Sequence, residues 1–341
     1  MVKNESKKAK ILVTGANGFV GSAIVRDLDH RGFNVFGVIR SGVVVNPCGH
    51  VQFLQISDIN GETDWSNLLK GIDVIVHCAA HLDEKILKGD DNLDLFRAIN
   101  VDGTRRLAEQ AARAGVKRFV FLSSLKVMGE QNRFSIEPLG SSKRLASYRR
   151  GLPKRGFKAT DCVRPSTSYS ISKWEAELAI REIESQGRLE VVIVRPPLIY
   201  GRNPTGNLLR LIRLISLRVP LPLNLVRNKR SLLSLDNLLP FLVSCIEHRD
   251  APGQTFLISD TDAVSTPELL QYLSTELGVT LRLFSFPIWI LKILAKPLGK
   301  TAEINRLVSS LTIDCDHAHK ILGWTPNIST KEGIRRMLLK S

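Results

Sequence analysis

The chain has 341 residues, of which 43% are hydrophobic and 24% are charged, an ordinary composition for a globular protein with a large core. Its start is polar rather than a signal peptide, and no apolar run reaches membrane-spanning length, so we expect a cytoplasmic protein without stable membrane insertion. The five cysteines are scattered and form no CxxC pair, which argues against structural disulfides and zinc.

The net charge of +15 is uneven, and two basic stretches, 143–158 and 202–230, contain no acidic residue. Such stretches attract polyanions. No aromatic pattern is interleaved with the bases and no nucleic-acid motif is present, so we predict no nucleic-acid partner. A phosphate-rich small ligand explains the second stretch about as well, and the first is typical of a solvated loop. We expect residues 138–165 to form the most mobile loop.

An apolar strand, a glycine-rich turn and a helix follow the polar start. Residues 11–13 form a continuous apolar run, typical of a strand buried on both faces, and residues 20–28 have helical spacing. Gly15, Gly18 and Gly21 lie between them at a spacing of three. Such glycines allow the turn, the approach of backbone to a pyrophosphate and close packing of helix on sheet. We therefore predict a dinucleotide site.

The second predicted strand, residues 33–40, ends at Arg40 with no acid nearby. An acid at this position would bond the ribose hydroxyls, whereas an arginine accommodates a 2′-phosphate. We favour NADP(H), with NAD(H) and a merely exposed arginine as alternatives. After the third strand, residues 51–56, Asp58 is positioned to accept from the adenine amino group or to form an Asx turn.

The fourth predicted strand, residues 73–81, ends in the small residues Ala79 and Ala80, which leave room for a ligand at the carboxyl end of the sheet. His77 and His81 lack the spacing and the neighbouring carboxylates of a metal pair. We predict no metal site.

The predicted elements that follow are a helix at 94–115, a strand at 116–124, a helix from Tyr169 and a strand at 189–195. Their alternation predicts an α/β fold with a Rossmann-type, doubly wound parallel sheet. We assign residues 1–190 to the NAD(P)-binding domain, with 220–262 partly returning to it. Residues 191–341 are assigned mainly to a smaller, mostly helical substrate lobe.

The predicted elements of the second half are helices at 207–217 and 236–249, a strand at 255–259 and a turn at 323–326. Residues 284–298 are strongly apolar, interrupted by Lys292 and Lys296. This segment either packs in the substrate lobe or lies on a membrane surface in peripheral contact. We favour packing, because the apolar residues surround the helix rather than form a stripe.

A tyrosine, a lysine and a serine predict acid/base chemistry. Tyr169 and Lys173 are four residues apart, so a helix places them on one face. A lysine ammonium beside a phenol favours the phenolate and lowers its pKa from about 10. Such a tyrosine passes a proton to or from a carbonyl or alcohol oxygen. Ser124, at a strand's carboxyl end, is positioned to bond the same oxygen.

The sequence resembles the extended short-chain dehydrogenase/reductase family (NAD-dependent epimerase/dehydratases), in its nucleotide-sugar branch. The matching residues, over nearly the whole chain, are Thr14-Gly15-Ala16-Asn17-Gly18-Phe19-Val20-Gly21, Asp58, Asn100, Ser124, Tyr169, Lys173, Arg195-Pro196-Pro197 and Tyr200-Gly201. The resemblance implies that Tyr169 is the acid/base, that Lys173 holds the nicotinamide ribose and that Ser124 orients the reacting oxygen. The implied cofactor contacts are Gly15, Asn17, Gly18, Phe19, Val20, Gly21, Arg40, Asp58, Ile59, Ala79, Ala80, Asn100, Lys173 and Pro196.

The residues after Ser124 bear on the branch of the family. Dehydratases carry an Asp-Glu pair there, whereas this chain has Leu125-Lys126, which argues against a 4,6-dehydratase. Residues 123–130 and 229–238 look most like bacterial reductases of UDP-4-keto-6-deoxy-N-acetylhexosamines, which serve surface polysaccharide synthesis. The resemblance thus implies an NAD(P)H-dependent 4-reductase. The alternatives are a UDP-hexose (glucose or N-acetylglucosamine) 4-epimerase and, more distantly, a non-catalytic NADP-binding sensor.

The resemblance also implies a UDP-sugar substrate and a homodimer. Arg230 would grip the diphosphate, Asn207 would line the sugar-nucleotide site, and Lys126 would contact the substrate. The dimer would form on the helices at 94–115 and 169–185.

Overall fold

The computed structural model describes residues 8–40, 49–82, 92–132, 156–204, 206–297 and 299–339. Its strands are β1 (Lys10–Thr14), β2 (Asn34–Arg40), β3 (Gln52–Ile56), β4 (Val74–His77), β5 (Arg118–Leu122), β6 (Glu190–Arg195), β7 (Leu198–Tyr200), β8 (Leu232–Ser234) and β9 (Thr255–Leu257). Seven of them form one sheet in the order β3-β2-β1-β4-β5-β6-β9, and every pair is parallel. The order reverses at β1, which opens a crevice at the carboxyl ends of the strands.

Helices pack on both faces of this sheet, and others build the C-terminal region. The helices of the described residues are α1 (Phe19–His30), α2 (Leu93–Phe96), α3 (Gly103–Ala114), α4 (Ser168–Ser185), α5 (Gly206–Ser216), α6 (Leu235–Glu247), α7 (Thr266–Leu277), α8 (Ile288–Ala295), α9 (Thr301–Val308), α10 (Asp316–Leu322) and α11 (Thr330–Leu338). The predicted Rossmann-type α/β fold with a helical C-terminal region is therefore confirmed.

The apolar run of β1 is buried because successive side chains point to opposite faces of the sheet. Ile11 and Val13 pack with α1 and α6 in one core cluster, and Leu12 packs with α3 and α4 in another. A third cluster in the C-terminal region joins α5, α7 and α11 through Leu208, Leu270 and Ile334. The two large clusters fix the sheet, and with it the strand ends that build the crevice.

The structure differs from the sequence-based prediction in three places. The helix predicted at 94–115 is divided, because a π-helical turn, Arg97–Asp102, separates α2 from α3. β4 ends at His77, so the residues after it are free to line the crevice. β7 and β8 form a small parallel pair that the sequence did not predict. Most of the loop predicted at 138–165 lies outside the described residues, which resume at 156.

The apolar segment at 284–298 is only half packed. Ile288, Leu291 and Ala295 of α8 turn inward, and Ala295 is buried. Trp289 and Ile293, on the opposite side, are 65% and 59% exposed. The favoured packing of this segment against the C-terminal region is therefore seen for its inner side, while its outer side remains exposed. No helix in the described ranges has the length and apolar character to cross a bilayer.

Candidate active site

The glycine turn between β1 and α1 has no room for side chains. Gly15 has φ +67°, a left-handed backbone that favours glycine, and a Cβ there would lie 2.9 Å from the Ala79 backbone. A Cβ on Gly21 would lie 2.0 Å from the Gly15 carbonyl oxygen. The Gly18 amide donates to the same oxygen at 2.8 Å. The turn thus brings the α1 amino end, with its free amides, to the crevice.

This crevice forms one elongated cleft at the ends of β1, β2 and β4. Its lining residues are Gly15, Asn17, Gly18, Val38, Ile39, Arg40, Ile56, Ile59, Cys78, Ala79, Ala80, His81 and Ile99. Seven of the predicted cofactor contacts are among them: Gly15, Asn17, Gly18, Arg40, Ile59, Ala79 and Ala80. Phe19, Val20 and Gly21 begin α1 behind the turn, and Pro196 follows β6. Half of the fourteen predicted dinucleotide residues therefore line one cleft, and the other half do not.

Arg40 and Asp58 lie together at one end of the cleft. The Arg40 Nη1 atom is 3.8 Å from Asp58 Oδ1, and both side chains are exposed. The Asp58 carboxylate also accepts from the Ile59 amide at 2.8 Å. The long ion pair leaves the guanidinium accessible to a ligand.

Asn100 links two segments next to the cleft by hydrogen bonds of its side chain. Its side-chain oxygen accepts from the His81 amide at 2.7 Å, and its nitrogen donates to the Ser172 hydroxyl at 3.0 Å. Asn100 itself is buried in the π-helical turn. Its amide group, predicted to contact the cofactor, instead fixes the chain after β4 against α4.

His77 and His81 have different surroundings. His77 is buried between the hydroxyls of Thr14 and Thr104, at 2.7 and 2.9 Å, and burial lowers its pKa to about 3. His81 lines the cleft, and its buried Nε2 atom has no protein partner among the described residues. His77 therefore has a structural role, whereas His81 borders the cleft with a buried ring nitrogen that no described protein group pairs. The described ranges contain no cluster of three or more metal-ligating side chains.

Ser124 and Tyr169 meet where β5 and α4 approach each other. The Ser124 oxygen accepts from the Lys126 amide at 3.2 Å, which begins a 3₁₀ turn, Leu125–Met128. Thr167 and Ser170 form a capping box that fixes the start of α4 just before Tyr169. Ser124 approaches the Tyr169 hydroxyl closely enough to lower its pKa by hydrogen bonding. The structure thus brings together the predicted serine and tyrosine.

The predicted lowering of the Tyr169 pKa by Lys173 is wrong in this state. Burial raises the pKa of Tyr169 to about 12, and the Ser124 hydrogen bond opposes the rise. Lys173 is buried as well, but its ammonium lies over the Phe121 ring, 3.9 Å from the centroid. Burial lowers the pKa of Lys173 to about 7, with Glu177 opposing. The lysine is therefore within the site but directed at a ring rather than at the phenol.

A buried ion pair lies next to this site, and the sequence did not predict it. Arg195 Nη2 lies 2.5 Å from Glu177 Oε2, and the two side chains are 5% and 2% exposed. The Ser123 hydroxyl also bonds Glu177. Glu177 follows Lys173 by one helical turn, and Ser123 precedes Ser124, so these contacts fix the segments that carry Lys173 and Ser124. In the sequence, the four-residue spacing of Lys173 and Glu177 indicates that a carboxylate lies one helical turn after the lysine.

The three residues predicted to contact substrate lie apart from one another. The Lys126 ammonium lies over the Tyr169 ring, 5.8 Å from its centroid. Arg230 Nη1 donates to the carbonyls of Arg306 and Ser309, and Asn207 accepts a weak bond from Arg210. Of the three, Lys126 is the one that the structure places beside Tyr169.

Comparison with known proteins identifies the family of the chain and several relatives. Residues 11–259 match the model of the NAD dependent epimerase/dehydratase family. The chain is 37% identical to the UDP-glucose 4-epimerase of Vibrio cholerae over 96% of its length and 93% of the relative's. It is 22% identical to the N-acetyl-alpha-D-glucosaminyl-diphospho-ditrans,octacis-undecaprenol 4-epimerase of Escherichia coli O157:H7, over 96% of this chain and 94% of that protein.

The fold resembles that of MoeE5, solved in complex with UDP-glucuronic acid and NAD. The TM-score is 0.73, with 22% sequence identity, over 97% of this chain and 98% of MoeE5. At this identity the likeness shows the fold alone.

Proposed function

The chain belongs to the NAD dependent epimerase/dehydratase family, and we propose that within it the protein is a UDP-sugar 4-epimerase. The observation that carries this proposal is the 37% identity to a UDP-glucose 4-epimerase across 96% of the chain. The Ser124–Tyr169 hydrogen bond provides the proton-transfer group that such a reaction needs. The 4-reductase implied by the resemblance would use the same residues, and the relatives support the epimerase alternative better.

The cleft fits a nicotinamide dinucleotide. Gly15 and Gly21 leave a backbone cradle that a Cβ would fill, and the α1 amides point to it. We also assign the His81 Nε2 atom, which has no partner among the described residues, as a polar contact of the dinucleotide. We therefore assign the dinucleotide to residues of the first 190, and the sugar nucleotide mainly to the lobe that follows. When bound, the cofactor supplies a hydride acceptor and donor.

Epimerisation at C4 requires one residue to hold a proton while the alcohol is a ketone. Oxidation removes a hydride from carbon and a proton from oxygen, and reduction on the opposite face returns both. Tyr169 is the group for the proton, and the Ser124 hydrogen bond favours the phenolate that accepts it. Ser124 also orients the C4 oxygen. Lys126, beside the Tyr169 ring, adds a positive charge at the substrate side of the site.

The substrate is a sugar 1-diphosphate, and UDP-sugars are our first candidates. The E. coli relative acts, by its name, on a lipid-linked N-acetylglucosaminyl diphosphate, which shares the diphosphate. Arg230, half-buried and bonded through Nη1 to two carbonyls, is the proposed diphosphate contact. Asn207, at the start of α5, is the proposed sugar-nucleotide contact. Loss of diphosphate-sugar affinity in Arg230→Ala, with cofactor affinity kept, tests this assignment.

Incubation of the pure enzyme with UDP-glucose, and separately with UDP-N-acetylglucosamine, tests the activity. We expect the C4 epimer to form with no net use of cofactor. In deuterated water the C4 hydrogen should remain protium, since the hydride is stored within the site. Tyr169→Phe should abolish turnover, while the control Tyr272→Phe, in the lobe core, should not. Stoichiometric oxidation of NADPH by a UDP-4-keto sugar, without epimerisation, would instead establish the reductase.

The preferred form of the cofactor follows from Arg40. We propose that its accessible guanidinium contacts the 2′-phosphate of NADP(H), and that NAD(H) also binds the cleft. Arg40→Ala should then weaken NADP(H) binding and leave NAD(H) binding unchanged. Arg26→Ala, an exposed arginine on α1, is the matched control. Equal losses for both cofactors would contradict this role.

We also propose a homodimer through α3 and α4, which pack side by side. Arg97 and Arg105, before and in α3, pair with Glu175 and Glu182 of α4, and Leu178 between them is 51% exposed. Leu178→Arg should produce a monomer in light scattering. An unchanged mass would place the interface elsewhere or show a monomeric enzyme.

A further inference from the structure

The outer side of α8 exposes large apolar side chains. Trp289, Ile293 and Leu294 are 65%, 59% and 54% exposed, while Leu291 and Ala295 pack inward. Trp289 and Ile293 are four residues apart and therefore adjacent on the helix surface. The helix thus holds its place through one side and presents a tryptophan and an isoleucine on the other.

A second exposed apolar segment adjoins the one that leads into α8. The Leu221 amide donates to the Arg282 carbonyl at 2.9 Å, and the Phe284 amide donates to Leu221 at 3.1 Å, so residues 217–225 run beside 282–286. The exposed apolar side chains of both segments and α8, here named the apolar patch, are Leu217, Val219, Leu225, Phe284, Trp289, Ile293 and Leu294. A set of this size exceeds the scattered apolar exposure that is normal for a surface.

The sequence around the patch is basic and contains no acid. Residues 206–227 and 279–302 include no Asp or Glu. The bases in these ranges are Arg210, Arg213, Arg218, Arg227, Arg282, Lys292, Lys296 and Lys300. All eight are exposed, and none forms an ion pair with another described residue. By contrast, Arg335 and Arg336 of α11 are paired with Glu332.

The bases of α8 lie on its apolar side. Lys292 follows Trp289 by three residues, and Lys296, the C-cap of the helix, follows Ile293 by three, so each base is one helical turn beyond an exposed apolar side chain. Lysine stems can lie along an apolar surface while their ammonium groups reach the polar headgroups. Tryptophan favours the same interfacial depth. This combination is that of a helix lying in the plane of a bilayer surface.

We propose that the apolar patch and its bases dock the C-terminal lobe on an anionic lipid bilayer. The apolar side chains would enter the boundary between headgroups and acyl chains, and the unpaired bases would meet anionic phosphates. A second copy of the chain is disfavoured, because a two-fold contact would set the same bases against one another. The proposal does not depend on the epimerase activity.

Co-sedimentation of the full chain with vesicles tests the docking. We expect binding to phosphatidylcholine vesicles that contain phosphatidylglycerol, and far less to phosphatidylcholine alone or at high salt. Lys292→Glu with Lys296→Glu should weaken binding by roughly ten-fold or more. The control pair Lys320→Glu with Lys331→Glu, exposed on α10 and α11, should change it little.

Trp289 also provides a direct readout of insertion. Of the four tryptophans, Trp65 and Trp324 are buried, Trp174 is partly buried in a core cluster and Trp289 is 65% exposed, so brominated lipids should quench mainly Trp289. Trp289→Phe should remove that quenching, and Trp289→Ser with Ile293→Ser should weaken binding, with the melting temperature kept. Equal binding of these variants and wild type, or no binding to anionic vesicles, would overturn the proposal. A concentration-dependent oligomer lost in Trp289→Ser would show a protein interface instead.

Discussion

Ser124, just after β5, and Tyr169, in the first turn of α4, are close enough for the serine to lower the tyrosine pKa and so to oppose the effect of burial. Burial alone favours the protonated phenol. A donor at the phenol oxygen stabilises the phenolate and keeps proton exchange within reach of the site. We therefore expect the serine to influence the proposed acid/base as well as the substrate oxygen.

Removing this donor should slow turnover. We expect Ser124→Ala to lower kcat by about 10²–10³-fold, since a preorganised hydrogen-bond donor is lost and the Tyr169 pKa rises further. Cofactor affinity, measured by fluorescence titration, should remain. Ser124→Thr keeps the hydroxyl and should restore much of the rate. A Ser124→Ala enzyme with wild-type kcat would remove the serine from the mechanism.

Lys173 should destabilise the cofactor-free protein in a pH-dependent manner. Its pKa falls from 10.5 to about 7 on folding, so the folded state disfavours the ammonium. The destabilisation is complete below pH 7, declines as pH rises and vanishes above 10.5, because only the unfolded chain keeps the proton in between. Lys173→Met should raise the melting temperature most at low pH. The exposed Lys117→Met should show no such trend.

The Glu177–Arg195 pair should respond differently to single and double replacement. Glu177→Leu leaves a buried guanidinium without its partner and should cost roughly 3–5 kcal/mol of unfolding free energy. Glu177→Leu with Arg195→Met removes both charges and should recover most of this loss. Urea unfolding of the wild type, of Glu177→Leu, of Arg195→Met and of the double variant gives the coupling energy between the two side chains. Additive losses would mean that the two side chains stabilise the site independently.

Much of the site was predictable because its signals are local. The apolar run at Ile11–Val13 and the glycines after it define strand, turn and helix within a few residues, and the cleft lies where they predict. The spacing of Tyr169 and Lys173 gives their common face but not the direction of each side chain. Lys173 turns to the Phe121 ring, which the fold brings from another strand. The predicted lowering of the Tyr169 pKa required the Lys173 side chain to point at the phenol.

The remaining differences come from packing between distant segments. Glu177 and Arg195 are 18 residues apart on a helix and a strand, so their contact exists only once β6 is beside β5. The short strands β7 and β8 hold three residues each, too few for a period to be recognised. For α8, apolar residues on all sides predict burial equally on every side. Only the packed lobe shows that Trp289 is left outside.

The contact between Gly21 and Gly15 should make the glycine turn intolerant of any side chain. A Cβ on Gly21 would lie 2.0 Å from the Gly15 carbonyl oxygen, which is backbone and is held by the Gly18 amide. Gly21→Ala must therefore push α1 away from β1, with a loss of at least roughly 1–3 kcal/mol of stability and of cofactor binding. Gly61→Ala, whose Cβ would meet its nearest neighbour at 3.4 Å, is the control and should behave as wild type. Thermal unfolding with and without NAD(H) separates the two effects, because a variant that folds but gains no stability from cofactor has lost the site itself.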